Sequence, residues 1–144
     1  MKLNPKEINT TALAYIGDAV YEVYVRKHVL EASGQMRDAF GAHVDALHRR
    51  AIRYVRADGQ AKALRRMLQD GFLSAEEEAL VRRARNHRSA SRPKNADAMD
   101  YKYATALEAL IGFWQLASYG APEDEAQKRM EEIIFKAFEI LESC

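Results

Sequence analysis

Two acids stand where helical packing calls for apolar side chains. The first is Asp18, in Ala14-Tyr15-Ile16-Gly17-Asp18-Ala19-Val20-Tyr21-Glu22. The second is Glu108, in Tyr103-Ala104-Thr105-Ala106-Leu107-Glu108-Ala109-Leu110-Ile111-Gly112-Phe113-Trp114. Each has a glycine within one turn. Gly17 costs a helix about 1 kcal/mol relative to alanine. Its presence among the small residues 14, 17 and 19 lets another backbone come close, and Gly112 clears space beside Glu108. An unpartnered buried carboxylate is costly, so each acid needs a basic side chain, a shared proton or a cation. A buried salt bridge, or an exposed acid on a face read wrongly, would also satisfy the pattern. Two carboxylates with a cation between them form an oxygen-rich Mg²⁺ site. Such a site activates water and stabilises a phosphoryl transition state. From the residues alone the chemistry is that of a metal-dependent nuclease.

Charge adds a second sign. The net charge is +1, unevenly spread. Residues 47–94 carry thirteen Lys and Arg against five acids, and residues 95–144 carry four against ten. A polyanion suits the middle of such a chain, although basic helical faces are commonly just solvated. Arg82, Arg83, Arg85, Arg88, Arg92 and Lys94 fall within thirteen residues that contain no acid. Other chemistries find little support. His28, His43, His48 and His87 lack metal-ligand spacing, and there is no Gly-rich phosphate loop. Cys144 is the only cysteine, which rules out a disulfide framework or a zinc-finger quartet. The N-terminus has no signal-peptide h-region, and no run of eighteen apolar residues exists, so no membrane span and a cytoplasmic location are expected.

The elements that must hold these acids read as helices throughout. Apolar residues recur near a period of 3.6, and seven Gly and three Pro are the punctuation in 144 residues. Asn4-Pro5-Lys6-Glu7 has the form of a helix start, leading into a helix from about Ile8 to His28, interrupted near Thr10 and broken by Ser33-Gly34. A second helix is expected from Asp38 to Ala57. A third follows the Asp58-Gly59 break and stops at Asp70-Gly71. Ser74-Ala-Glu-Glu77 is a capping box that opens a helix to about Asn86. Residues 88–99 form the one long irregular stretch, expected to be a mobile loop that orders on its ligand. Helices over 100–119 and 122–143 complete an all-α chain. With no repeat and no long linker, residues 1–144 are expected to be one domain. Tyr15, Tyr21, Tyr24, Phe113 and Trp114 belong to the core or to an interface.

The two acidic segments also carry a resemblance. Leu13-Ala-Tyr-Ile-Gly-Asp-Ala-Val-Tyr-Glu22 resembles the signature helix of the ribonuclease III family, whose pattern ends in Leu-Gly-Asp-Ala/Ser. Leu107-Glu-Ala-Leu-Ile-Gly112 resembles that family's second acidic motif. Arg85-Asn86, Pro93-Lys94-Asn95 and Tyr101-Lys-Tyr103 look like the Mini-ribonuclease III branch. The resemblance implies a homodimeric helical-bundle catalytic domain that cuts double-stranded RNA with Mg²⁺, associated in this branch with maturing the ends of 23S ribosomal RNA precursor. It makes Asp18 and Glu108 the catalytic, metal-binding acids. Larger family members carry further acids where this chain has Thr11, Ala14 and Thr105. Glu22 is then a possible further metal ligand, or equally the i+4 partner of Arg26. No double-stranded-RNA-binding module is expected, so the catalytic domain must hold the duplex itself. The expected RNA contacts are Arg82, Arg83, Arg85, Arg88, Arg92, Lys94 and Asn95. Part of the signature helix, including Tyr15 or Tyr21, is expected at the dimer interface. With acids missing at 11, 14 and 105, the alternative is a catalytically inactive duplex-RNA-binding dimer.

Overall fold

A computed structural model describes residues 3–34, 44–87, 97–118 and 123–143. A 3-10 turn, Pro5–Glu7, precedes six helices: α1 Thr10–Gly34, α2 Val44–Val55, α3 Ala57–Gln69, α4 Ala75–Asn86, α5 Ala98–Ala117 and α6 Glu123–Glu142. Among the described residues there is no strand, and no helix is long and apolar enough to cross a membrane.

Helix α5 is the axis. It packs against α1, α3, α4 and α6, as an almost uniformly apolar helix must. Ala106, Leu107, Ala109, Leu110 and Ile111 are fully buried on it. The other helices each turn one stripe inward: Leu13, Tyr21 and Val25 from α1, Leu64 and Met67 from α3, Ile133, Ile134 and Ala137 from α6. Tyr21 is thus a core residue, one of the two placements its spacing allowed, and its hydroxyl donates to Tyr54 O at 2.8 Å.

Local chemistry sets the helix ends. The Asn4 side chain caps only the 3-10 turn, accepting from Lys6 N at 3.0 Å. Ile8 is extended, and Asn9 accepts from Ala12 N at 2.8 Å, so α1 starts at Thr10 rather than Ile8. The break between α2 and α3 falls at Arg56, two residues before Asp58. Helix α3 closes at Gly71, φ 67°, with Phe72 N bonded to Met67 O and Gly71 N to Leu68 O, a Schellman motif. Helix α5 begins at Ala98, inside the segment expected to be irregular; residues 88–96 lie outside the described residues.

The Ser74–Glu77 capping box forms as its sequence implies, with Glu77 N donating to Ser74 Oγ at 3.1 Å and Ser74 N to Glu77 Oε1 at 2.8 Å. Glu77 also has a second role. It is buried, and it accepts from Arg129 at 2.7 and 2.9 Å and from Trp114 Nε1 at 2.9 Å, joining α4, α5 and α6. Burial acts to raise its pKa. The Arg129 hydrogen bonds and charge, the Ser74 amide and the Trp114 donor outweigh that and hold the carboxyl below its ordinary value.

The two glycines beside the acids serve the crossing of α1 and α5. A Cβ on Gly17 would sit 1.7 Å from Glu108 O, and one on Gly112 would sit 1.9 Å from Leu13 O. The helices therefore touch backbone to backbone, which is how Glu108 is brought beside Asp18. Gly17→Ala should lower stability by about 2 kcal/mol or more, since overpacking outweighs the gain in helix propensity of about 1 kcal/mol. Urea denaturation checks this, and a variant as stable as the parent would mean that the helices stand further apart.

Candidate active site

Asp18 lies on an exposed face of α1, not among apolar neighbours as its sequence context suggests. Glu108, on α5, is half-buried. Their carboxyl groups are within hydrogen-bonding reach of each other. Burial, the Asp18 charge and the Asp18 hydrogen bond together raise the pKa of Glu108 to about 8, against a smaller lowering by Gln60. Glu108 thus holds a proton at neutral pH when nothing else neutralises the pair. The arrangement is one of two carboxylates awaiting a positive charge.

Whether a divalent cation fits can be read from the donors. Among the described residues, no cluster of three or more His, Cys, Asp or Glu is placed to hold a metal. Mg²⁺ does not require one; it takes one or two carboxylates and keeps several waters. Gln60, whose side chain lowers the Glu108 pKa, also has a buried oxygen, Oε1, with no hydrogen-bond partner among the described residues. Two carboxylates and a spare acceptor suit a hydrated cation.

Glu22 turns elsewhere. Its carboxylate meets Arg26 at 3.2 Å, the i+4 pairing that its sequence position allowed. Thr11 and Thr105 line a shallow cleft with Thr10, Ala84, His87, Tyr101 and Lys102. Thr105 Oγ1 donates to Tyr101 O at 2.9 Å. This cleft runs from the last turn of α4 to the helices that carry the acids. Arg82 and Arg83 are exposed on α4. Arg85 is partly committed, donating to Tyr103 Oη at 3.1 Å with its guanidinium 5.6 Å from that ring. Arg88, Arg92, Lys94 and Asn95 lie outside the described residues.

Gln60 is the site residue that sequence reasoning did not single out. It is 4% exposed on the inward stripe of α3 that also carries Leu64 and Met67. A lone amide at the head of an apolar stripe was the signal that could have found it.

The fold is a helical bundle in which two crossing helices, α1 and α5, bring Asp18 and Glu108 together. The model of the Ribonuclease III domain matches residues 11–119. The Mini-ribonuclease 3 of Enterococcus faecalis is 38% identical over 129 residues, covering 90% of this chain and 87% of that one. The Mini-ribonuclease 3 of Symbiobacterium thermophilum is 37% identical over 139 residues, covering 96% and 95%. The crystal structure of protein FN1578 from Fusobacterium nucleatum superposes with a TM-score of 0.72 at 27% identity, over 96% of this chain and 98% of that one. The chain belongs to the ribonuclease III family, in its Mini-ribonuclease III branch, and is an endoribonuclease of double-stranded RNA.

Proposed function

We propose that this endoribonuclease is Mg²⁺-dependent, that Asp18 and Glu108 hold the cation, and that it trims the ends of 23S ribosomal RNA precursor in the cytoplasm. The observation that carries the site assignment is the approach of these two carboxyl groups across the α1–α5 crossing, where burial and the Asp18 charge push the Glu108 pKa up to about 8. When bound, a divalent cation supplies positive charge to the phosphoryl group and acidity to water. The chain's own part is to keep the two carboxylates together and to fix them through the Gly17–Gly112 contact. The substrate assignment rests on the relatives, both of which are Mini-ribonuclease 3 proteins. The described helices share one core, which supports reading residues 1–144 as a single catalytic domain.

The protein acts as a homodimer in this reading, because staggered cuts on two strands need two sites. Tyr15, 79% exposed, and Val23, 50% exposed, leave apolar surface on α1 for a second copy. Incubating the chain with a perfect RNA duplex, in Mg²⁺ and in EDTA, tests the activity, with sedimentation testing the dimer. Cutting in Mg²⁺ alone by a dimer is expected. Salt-sensitive binding without cutting would leave an inactive duplex-binding protein, and a monomer with full double-strand cutting would remove the dimer.

Duplex RNA is gripped by shape and through its phosphates. Arg82 and Arg83 are exposed on the helix that borders the cleft. Replacing both with alanine should weaken duplex binding and lower the salt slope by roughly one to two units, about one for each phosphate no longer neutralised. Fluorescence anisotropy across a salt series measures this, and an unchanged slope would place the RNA away from this face of α4.

A further inference from the structure

Glu108 leans on a side chain that the catalytic reading leaves unused. Gln60 sits in the first turns of α3, buried against Ala61, Leu64 and Met67 of its own helix. A buried primary amide is expensive unless its donors and acceptor are matched. Its Nε2 donates to Val55 O, at the end of α2, at 3.0 Å. The same amide also lies close enough to the Glu108 carboxyl to lower its pKa. A backbone carbonyl only accepts, and a neighbour that lowers a carboxyl's pKa does so by donating to its ionised form, so the amide turns nitrogen and not oxygen toward both. Oε1 is left over, buried and without a partner among the described residues.

Nothing in the packing explains that oxygen. An apolar residue of similar size would fill the same space without a stranded acceptor. Its position is informative, since it is bonded to the carbon whose nitrogen touches Glu108, the more enclosed of the two acids. It can only accept, so its missing partner is a donor. A divalent cation held by few protein ligands brings such donors with it, as the waters of its hydration shell.

We propose that Gln60 is a positioning residue for the metal site: Nε2 clamps the Glu108 carboxylate, itself aimed by Val55 O, and Oε1 accepts from a water of a hydrated divalent cation at Asp18 and Glu108. The inference rests on the metal reading above and adds a residue to it. A side chain of this kind orients a ligand and steadies the hydration shell without touching the cation. Removing it is felt in cation affinity more than in RNA binding. The competing role is a tie between α2 and α3 through Val55 O alone, which would be felt in stability and nowhere else.

The test uses the full chain without RNA and Mn²⁺ as the probe, with free Mn²⁺ read by electron paramagnetic resonance. Gln60→Leu and Gln60→Met are each made in the parent and in the Glu108→Gln background. Mn²⁺ affinity should fall about ten- to a hundredfold in the parent background. It should fall much less in the Glu108→Gln background, because the clamp on that carboxylate is already gone and only the Oε1–water bond is left to lose. In cleavage, the Mg²⁺ needed for half-maximal rate should rise by a similar factor, with KM for duplex RNA unchanged. Parent-like Mn²⁺ affinity in either variant, with stability alone reduced, would overturn the proposal. So would equal losses in both backgrounds, or variants that both fail to fold, since each makes Gln60 a structural tie. Absence of Asp18-dependent Mn²⁺ binding in the parent would instead remove the metal reading, and this inference with it.

Discussion

Asp18→Asn is expected to slow cleavage of an RNA duplex more than a hundredfold while leaving the fold intact. The substitution keeps the shape and removes the charge that a cation needs. Asp18 is exposed, so the core is untouched by the change. A hundredfold reduction corresponds to about 2.7 kcal/mol of transition-state stabilisation, a reasonable share for one of two carboxylates holding a cation. Raising Mg²⁺ should restore part of the rate, because weaker coordination lowers occupancy as well as chemistry. Single-turnover cleavage measures the rate, circular dichroism the fold, and anisotropy the retained RNA binding. A near-parental rate would remove Asp18 from the site. The same change takes away the Asp18 charge and puts an amide that can donate to ionised Glu108 where an acceptor stood, so the pKa of Glu108 should fall, with burial still holding it above the ordinary value.

How far these features were legible depended on the range of the interaction that made them. Local signals read well. The Ser74–Glu77 box, the Gly71 stop and the helical period all depend on residues within one or two turns. The acids and their glycines were legible as a pattern, because a glycine in an apolar helix has few uses other than close approach. Which face Asp18 occupies was not. Helix α1 is apolar on most sides around Leu13–Ile16, so periodicity could not separate the face under α5 from the face toward solvent. Tyr21 was left between two placements for a related reason, since an aromatic at helical spacing suits a core as well as an interface. Asn9 displaced Ile8 as the start of α1 through one side-chain hydrogen bond, which composition alone does not reveal. Longer-range matches were out of reach. Glu77 meets Arg129 52 residues on, and Gln60 meets a carbonyl and an acid from two other helices. Such pairings are made by tertiary packing, and each partner reads in sequence as an ordinary polar residue.

Glu108→Gln should abolish cleavage to a similar degree and, in EDTA, make the protein more stable at pH 8.5 rather than less. The ordinary carboxyl value is 4.5, and in the fold Glu108 sits at about 8 through burial first and Asp18 second. Between those values the folded chain keeps a proton that the unfolded chain has released. Stability from this group is therefore complete below pH 4.5 and declines as pH rises to about 8, levelling beyond. Glutamine resembles the protonated acid. It can donate to Asp18 and accept from Gln60, and it has no proton to lose. The variant should match the parent near pH 4 and exceed it at pH 8.5 by roughly 1–3 kcal/mol, after discounting the shift for a side chain that is only half-buried. Mg²⁺ should reverse the order at pH 8.5, because a cation that binds only the folded parent stabilises it and takes the proton's place. By the same competition, cleavage by the parent at low Mg²⁺ should rise with pH to about 8, and higher Mg²⁺ should move that rise to lower pH. Thermal melts of both proteins across pH 4–9, with EDTA and with Mg²⁺, decide the matter. A parent–variant difference that stays constant between pH 5 and 8.5 in EDTA would show that the carboxyl is already ionised in the free fold, and the two acids would then have to be kept together by something other than a shared proton.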